Sequence, residues 1–109
     1  MPDNPRRSKI EAMLEAEPKD VFLRYSLAME MTKDGELDEA LAVYAELTQE
    51  EPPHVPAFFR SAQILADEQK IEEARSALRD GIEAARQQGD LHAAGEMSEM
   101  LSDLGQFGE

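Results

Sequence analysis

Apolar residues recur along this chain at three- and four-residue spacing, the period of a helix face, and no stretch alternates with period two between hairpin turn residues. An all-α fold follows. The punctuation falls at Pro18, Gly35, Pro52, Pro53, Pro56, Gly89 and Gly105, and the segments between are of ordinary helix length, about 12 to 20 residues. About six helices fit. The first starts near Pro5, with Ile10, Met13 and Leu14 on one face, and stops at Pro18. The second, capped by Asp20 and running through Lys33, carries Val21, Leu23, Leu27, Ala28 and Met31. A third is predicted over about 36–50 with Leu37, Ala40, Leu41, Tyr44 and Leu47, and a fourth over 55–67 with Phe58, Phe59, Ala62, Leu65 and Ala66. The fifth, over 70–88, carries Ile71, Ala74, Ala77, Leu78, Ile82 and Ala85 and stops at Gly89. Asp90 caps the sixth, with Leu91, Ala94, Met97, Met100, Leu101 and Leu104; it ends at Gly105, and residues 106–109 are expected to fray.

The pattern repeats. GELDEALAVY at 35–44 returns as QKIEEARSAL at 69–78, so Gly35 falls on Gln69, Leu37 on Ile71, Ala40 on Ala74 and Tyr44 on Leu78, a period of 34 residues. The same shift backwards sets Pro52 on Pro18 and Tyr44 on Ile10. Two helices packed closely need small residues where their axes approach, and Ala28 against Ala40, then Ala62 against Ala74, supply them.

This ordered pattern resembles the tetratricopeptide repeat, in a small bacterial-type form. Its places are filled first by Arg24, Leu27, Ala28, Met31, Gly35, Ala40, Tyr44 and Pro52, then by Phe58, Ser61, Ala62, Leu65, Gln69, Ala74, Leu78 and Arg86. Arg24, Ser61 and Arg86 depart from it, and losing the closing Pro at Arg86 predicts a fifth helix longer than the third. The resemblance implies a right-handed α-solenoid of antiparallel helix pairs forming one domain over 1–109. Residues 5–17 are the second half of a preceding unit, 21–54 and 55–88 are two full repeats, and 90–104 is a capping helix. One helix pair cannot bury its own apolar face, which is why the chain states it twice.

In that family the first helix of each unit lines a concave surface where peptides bind. What the resemblance implies here is a groove lined by Phe22, Tyr25, Met29 and Thr32 from one unit and Phe59, Gln63 and Ala66 from the next, extended by His92. Tyr25, Met29 and Phe59 would make its apolar floor, with Gln63 free for main-chain hydrogen bonds; alternatively Tyr25 and Phe59 pack on each other between units. Adjacent Phe58 and Phe59 point about 100° apart, so only one can face squarely into the core. Family members that clamp acidic C-termini carry Lys, Arg and Asn on this face, and the residues named here do not make such a clamp.

Length and composition agree with a single folded domain. At 109 residues a chain buries roughly two-thirds of its unfolded surface, and 41% hydrophobic with 32% charged residues is a globular balance. Cys is absent, which fits a reducing cytoplasm, and neither a signal peptide nor a run of about 18 apolar residues is present. The net charge of −13, from 24 acidic and 11 basic residues, opposes nucleic-acid and anionic-membrane partners. It suits solubility, a salt-rich cytoplasm, or a partner segment that is neutral or basic rather than acidic.

The chain is poor in catalytic groups. Only His54 and His92 belong to the residue type whose unperturbed pKa lies near neutrality; His54 lies in an inter-repeat turn and His92 opens the last helix, without HxxxH or HExxH spacing for a metal. Carboxylate pairs such as Glu72 and Glu73 belong to solvated faces, TKDGELDEA lacks the ligand ladder of a calcium loop, and no phosphate-binding Gly loop occurs. The function expected is therefore non-catalytic: a protein-interaction module, without cofactor or metal, holding a peptide segment in its groove. Self-association into a homo-oligomer is the alternative, and a small enzyme or metal-binding protein the remote one.

Overall fold

Asn4 opens the first helix by accepting a hydrogen bond from the Arg7 backbone N–H at 3.0 Å, and Pro5 takes the first helical position, where its missing N–H has no intrahelical partner to lose. From there six helices follow: α1 Pro5–Ala16, α2 Val21–Lys33, α3 Leu37–Thr48, α4 Val55–Asp67, α5 Ile71–Gln87 and α6 Leu91–Gly108. The computed structural model describes residues 4–108, with side chains as far as Gly105, and among the described residues there is no strand. Asp20 and Asp90 cap α2 and α6 as their sequence places predict, through Leu23 N–H at 2.8 Å and Ala93 N–H at 3.1 Å.

Two helix ends differ from expectation. The third helix stops at Thr48, so the chain leaves it before reaching Pro52. The sixth runs through Gly105 to Gly108 instead of ending at Gly105, because that glycine keeps a helical backbone and no neighbour crowds it. A glycine permits a left-handed stop without enforcing one. Residue 109, the last of the four expected to fray, lies outside the described residues. The fifth helix does outrun the third, at 17 residues against 12.

The turns within helix pairs share one device. Gly35 at φ +81° and Gln69 at φ +65° reverse the chain, and in each case the next N–H reaches back five residues, Glu36 to the Met31 carbonyl at 2.9 Å and Lys70 to the Leu65 carbonyl at 2.8 Å. This closes the helix C-terminus by satisfying carbonyls that the helix leaves orphaned. Helix pairs built this way are antiparallel neighbours.

Packing divides into two clusters that share α4. Ala28, Ala40, Tyr44 and Leu47 join Ala57 and Ile64 of α4 in one, while Val55 and Ala62 of α4 join Ala74, Leu78, Ile82, Ala85, Ala94 and Met97 in the other. Ala28, Ala40, Ala62 and Ala74 are all fully buried, as close helix approach requires. The tightest approach is at Gly81 of α5, where a Cβ would lie 2.6 Å from both Phe58 Cβ and Met97 Sδ.

A polar clasp fastens α1. Glu30, buried in α2, accepts from Asn4 Nδ2 at 3.3 Å and pairs with Arg6 Nε at 3.2 Å and Lys33 Nζ at 3.3 Å. Arg7 reaches the α2–α3 turn, bonding Glu36 at 2.7 Å and Asp34 at 3.0 Å, and this guanidinium, then Asn4, holds the Asp34 carboxyl below its usual pKa. A buried glutamate beside the apolar stripe predicted for this helix was not legible from hydropathy, which registers cost and not compensation.

Candidate functional site

Successive first helices of the pairs, α2 and α4, lie side by side and leave a groove of about 520 Å³ between them. Its floor and walls come from Met29 and Thr32 of α2, Tyr44 of α3, and Gln63, Ile64 and Ala66 of α4, with Met100 of α6 at one end. The positions follow from helical spacing: Met29 and Thr32 stand on the side of α2 that α3 does not cover, as do Gln63 and Ala66 on α4. Thr32 turns its hydroxyl back to the Ala28 carbonyl at 2.8 Å, which satisfies it locally.

Three charges stand on the lining: Lys33, Arg60 and Asp67. Arg60 Nε donates to the Tyr25 hydroxyl at 3.0 Å, and its Nη1 donates to Gln63 Oε1 at 3.4 Å. Tyr25 is held from behind, its ring 5.9 Å from Tyr44 and edge-on to His54 at 4.9 Å. Burial raises the Tyr44 hydroxyl pKa and lowers that of the His54 imidazole, so both groups are neutral near pH 7. The site is thus a rigid aromatic bracket carrying one guanidinium at the rim.

The eight residues expected in one groove are distributed over several places. Met29, Thr32, Gln63 and Ala66 line it together, and Tyr25 meets it through Arg60. Phe22 stands instead in a cleft between α1 and α2: two helical turns before Met29 it shares that residue's face of α2, but it lies about 10 Å further along the axis, beside α1. Phe59 occupies a crevice between α4 and α6 with Val55, Ala93 and Met97, while its neighbour Phe58 turns to Gly81 of α5. Tyr25 and Phe59 therefore belong to different packing clusters and do not form one floor. His92 is exposed on α6, its Nε2 3.6 Å from Glu96 Oε1.

Arg60 and Lys33 were missed. A signal existed for Arg60: it follows Phe59 directly and stands 35 residues from Tyr25, one repeat and one residue on, a separation that brings neighbouring first helices face to face. Met100 was legible only as core, since the packing of α6 against α4 is a tertiary fact.

A tetratricopeptide repeat family model matches residues 31–96, more than half of the chain. The chain belongs to the tetratricopeptide repeat family. Among solved structures, a tetratricopeptide repeat domain protein from Salinibacter ruber matches in a solution NMR structure at 28% identity and TM-score 0.75, over 80% of this chain and 88% of that one. A crystal structure of a tetratricopeptide repeat domain protein from the same organism matches at 26% identity and TM-score 0.74, over 81% of this chain and 98% of that one. A protein from Bordetella parapertussis shares the fold at 23% identity and TM-score 0.80, over 95% of this chain and 90% of that one. No curated protein matches.

The architecture is thus an all-α helical repeat, and tetratricopeptide repeat domains serve in general as non-catalytic modules that bind other proteins. Among the described residues no three His, Asp or Glu side chains come together where they could hold a metal, and no helix is long and apolar enough to cross a membrane.

Proposed function

We propose that this tetratricopeptide repeat domain binds a short, neutral segment of a partner protein in the α2–α4 groove. We read 21–54 and 55–88 as its two complete units, 5–17 as the second half of a preceding unit and α6 as the closing helix. The observation that carries the function is the placement of Arg60: its guanidinium is fixed by Tyr25 and Gln63 at the rim of a groove floored by Met29, Ile64 and Ala66. A ligand segment sets one or two apolar side chains on that floor, and a main-chain or amide carbonyl accepts from the guanidinium. Holding Arg60 in advance lowers the ordering cost of binding.

Charge supports a neutral segment. The chain's overall −13 repels acidic ligands at long range, but the groove itself presents Lys33 and Arg60 against Asp67, which opposes basic ones at contact. A peptide-display selection on the wild type should enrich neutral sequences with one or two large apolar anchors. Their affinity should fall by about tenfold or more in Met29→Asp and Arg60→Ala variants whose helicity is intact. Absence of enrichment, or equal affinity for these variants, would remove the groove from consideration.

A further inference from the structure

The cleft between α1 and α2 is a second and separate surface, of about 730 Å³, whose lining includes Arg6, Lys9, Ile10, Met13, Phe22 and Leu23. Its residues can be compared with their counterparts one repeat later. Tyr44 and Leu47 of α3 are almost wholly buried because α2 lies antiparallel across them on one side and α4 packs on them from the other. Ile10 and Met13 stand 34 residues earlier, at the same places on α1. No described helix lies across α1 in the manner of α2 on α3; Ile10, at 5% exposure, is buried as Tyr44 is, but Met13 is 43% exposed where Leu47 is fully buried. Phe22, 64% exposed, borders the same opening, so two of the three large apolar side chains exposed among the described residues meet in one cleft. The repeat register therefore leaves a helix-shaped seat with an apolar floor.

Charge selects the occupant. In a chain with 24 acidic residues none lines this cleft, whereas Arg6 and Lys9 do, both exposed. Arg6 holds the buried Glu30 through Nε, and its side chain is still 68% open to solvent at the rim. A second copy of this chain is a poor fit, since among the described side chains of α6 only Leu91 is a large exposed apolar group, too little to form the apolar stripe that this cleft needs.

We infer that the α1–α2 cleft is a docking site for an acidic amphipathic helix of a partner protein, which completes the repeat by lying antiparallel to α1. Its apolar stripe covers Met13 and Phe22 above the buried Ile10, and its carboxylates meet Arg6 and Lys9.

The test uses a fluorescein-labelled peptide of Leu, Ala and Glu, about 20 residues long so that it is helical in water, with Leu at i, i+3, i+4 and i+7 spacing. A second peptide carries Lys in place of every Glu. Binding to the full chain is followed by fluorescence anisotropy, and the oligomeric state by sedimentation velocity. The Glu peptide should bind, more weakly as salt rises, and at least about tenfold more tightly than the Lys peptide. Met13→Asp and Lys9→Glu, both at exposed positions, should each weaken it by about tenfold while Arg60→Ala leaves it unchanged. Equal binding of the two peptides overturns the proposal, as does loss of binding in Arg60→Ala alone, which would move the peptide to the α2–α4 groove. A concentration-dependent dimer that Met13→Asp abolishes would also overturn it, since a second copy would then be the occupant.

Discussion

The Tyr25 hydroxyl accepts a hydrogen bond from Arg60 Nε at 3.0 Å, joining α2 to α4 across 35 residues of chain. The bond is solvent-exposed, so its weight in folding is small and its consequence is the aim of the guanidinium. Tyr25→Phe keeps the ring against Tyr44 and His54 and removes only the acceptor. Stability in urea should change by less than about 0.5 kcal/mol, while affinity for a groove-selected peptide should fall about three- to tenfold. Unchanged affinity would mean that Arg60 needs no anchor.

Gln69 occupies the turn place that Gly35 holds one repeat earlier, at φ +65°. A left-handed backbone costs an L-residue roughly 1 kcal/mol, and glycine avoids that at the expense of a more flexible unfolded chain. Gln69→Gly is expected to stabilise the chain by up to about 1 kcal/mol, and Gly35→Gln to destabilise it by a similar amount. Denaturant midpoints of the pair test this; shifts of the same sign for both would refute it.

Gly81 is set by contact, since its backbone is ordinary helix. A methyl there would meet Phe58 Cβ at 2.6 Å, an atom no rotamer change can move, and Met97 Sδ at the same distance, which can yield. Overpacking of this kind costs about 1–3 kcal/mol, more than the roughly 1 kcal/mol that alanine gains over glycine in a helix. Gly81→Ala should therefore be destabilising, and hydrogen exchange should locate the loosening at α4–α5–α6. A variant at least as stable as the wild type would show that α4 and α5 can separate freely.

His54 opens α4, with its N–H on the Leu47 carbonyl at 3.1 Å and its buried Nε2 without a hydrogen-bond partner among the described residues. Burial lowers its pKa, so the folded chain favours the neutral ring. As pH falls through the ordinary histidine value of about 6.5, the unfolded chain takes up the proton first. His54's contribution is therefore complete above that pH and declines below it, toward the lower folded value. Between about pH 7.5 and 5 the wild-type Tm should fall relative to that of His54→Gln, a comparison that cancels the carboxylates common to both. Parallel Tm profiles would show that the ring is solvated in both states.

Much of the fold was legible because helix formation and pair repetition are local. The three- and four-residue spacing, the caps at Asp20 and Asp90, the stop at Gly35 and the 34-residue return of Ala40 at Ala74 are set by a residue and its near neighbours along the chain. Those features determined six helices, their pairing and the family. Which side chains share a surface was decided only by how the pairs lean on one another. Phe59 and Tyr25 occupy neighbouring repeats, yet one turns to α6 and the other to α3. Arg60 is fixed at the rim of the groove because the Tyr25 hydroxyl of α2 comes within 3.0 Å of its Nε. Glu30 is buried because Asn4, Arg6 and Lys33 converge on it from two helices. Side-chain partnership depends on distances between elements, and these are fixed by the packing of whole helix faces, so the linear pattern specifies the elements and tertiary contact specifies the site.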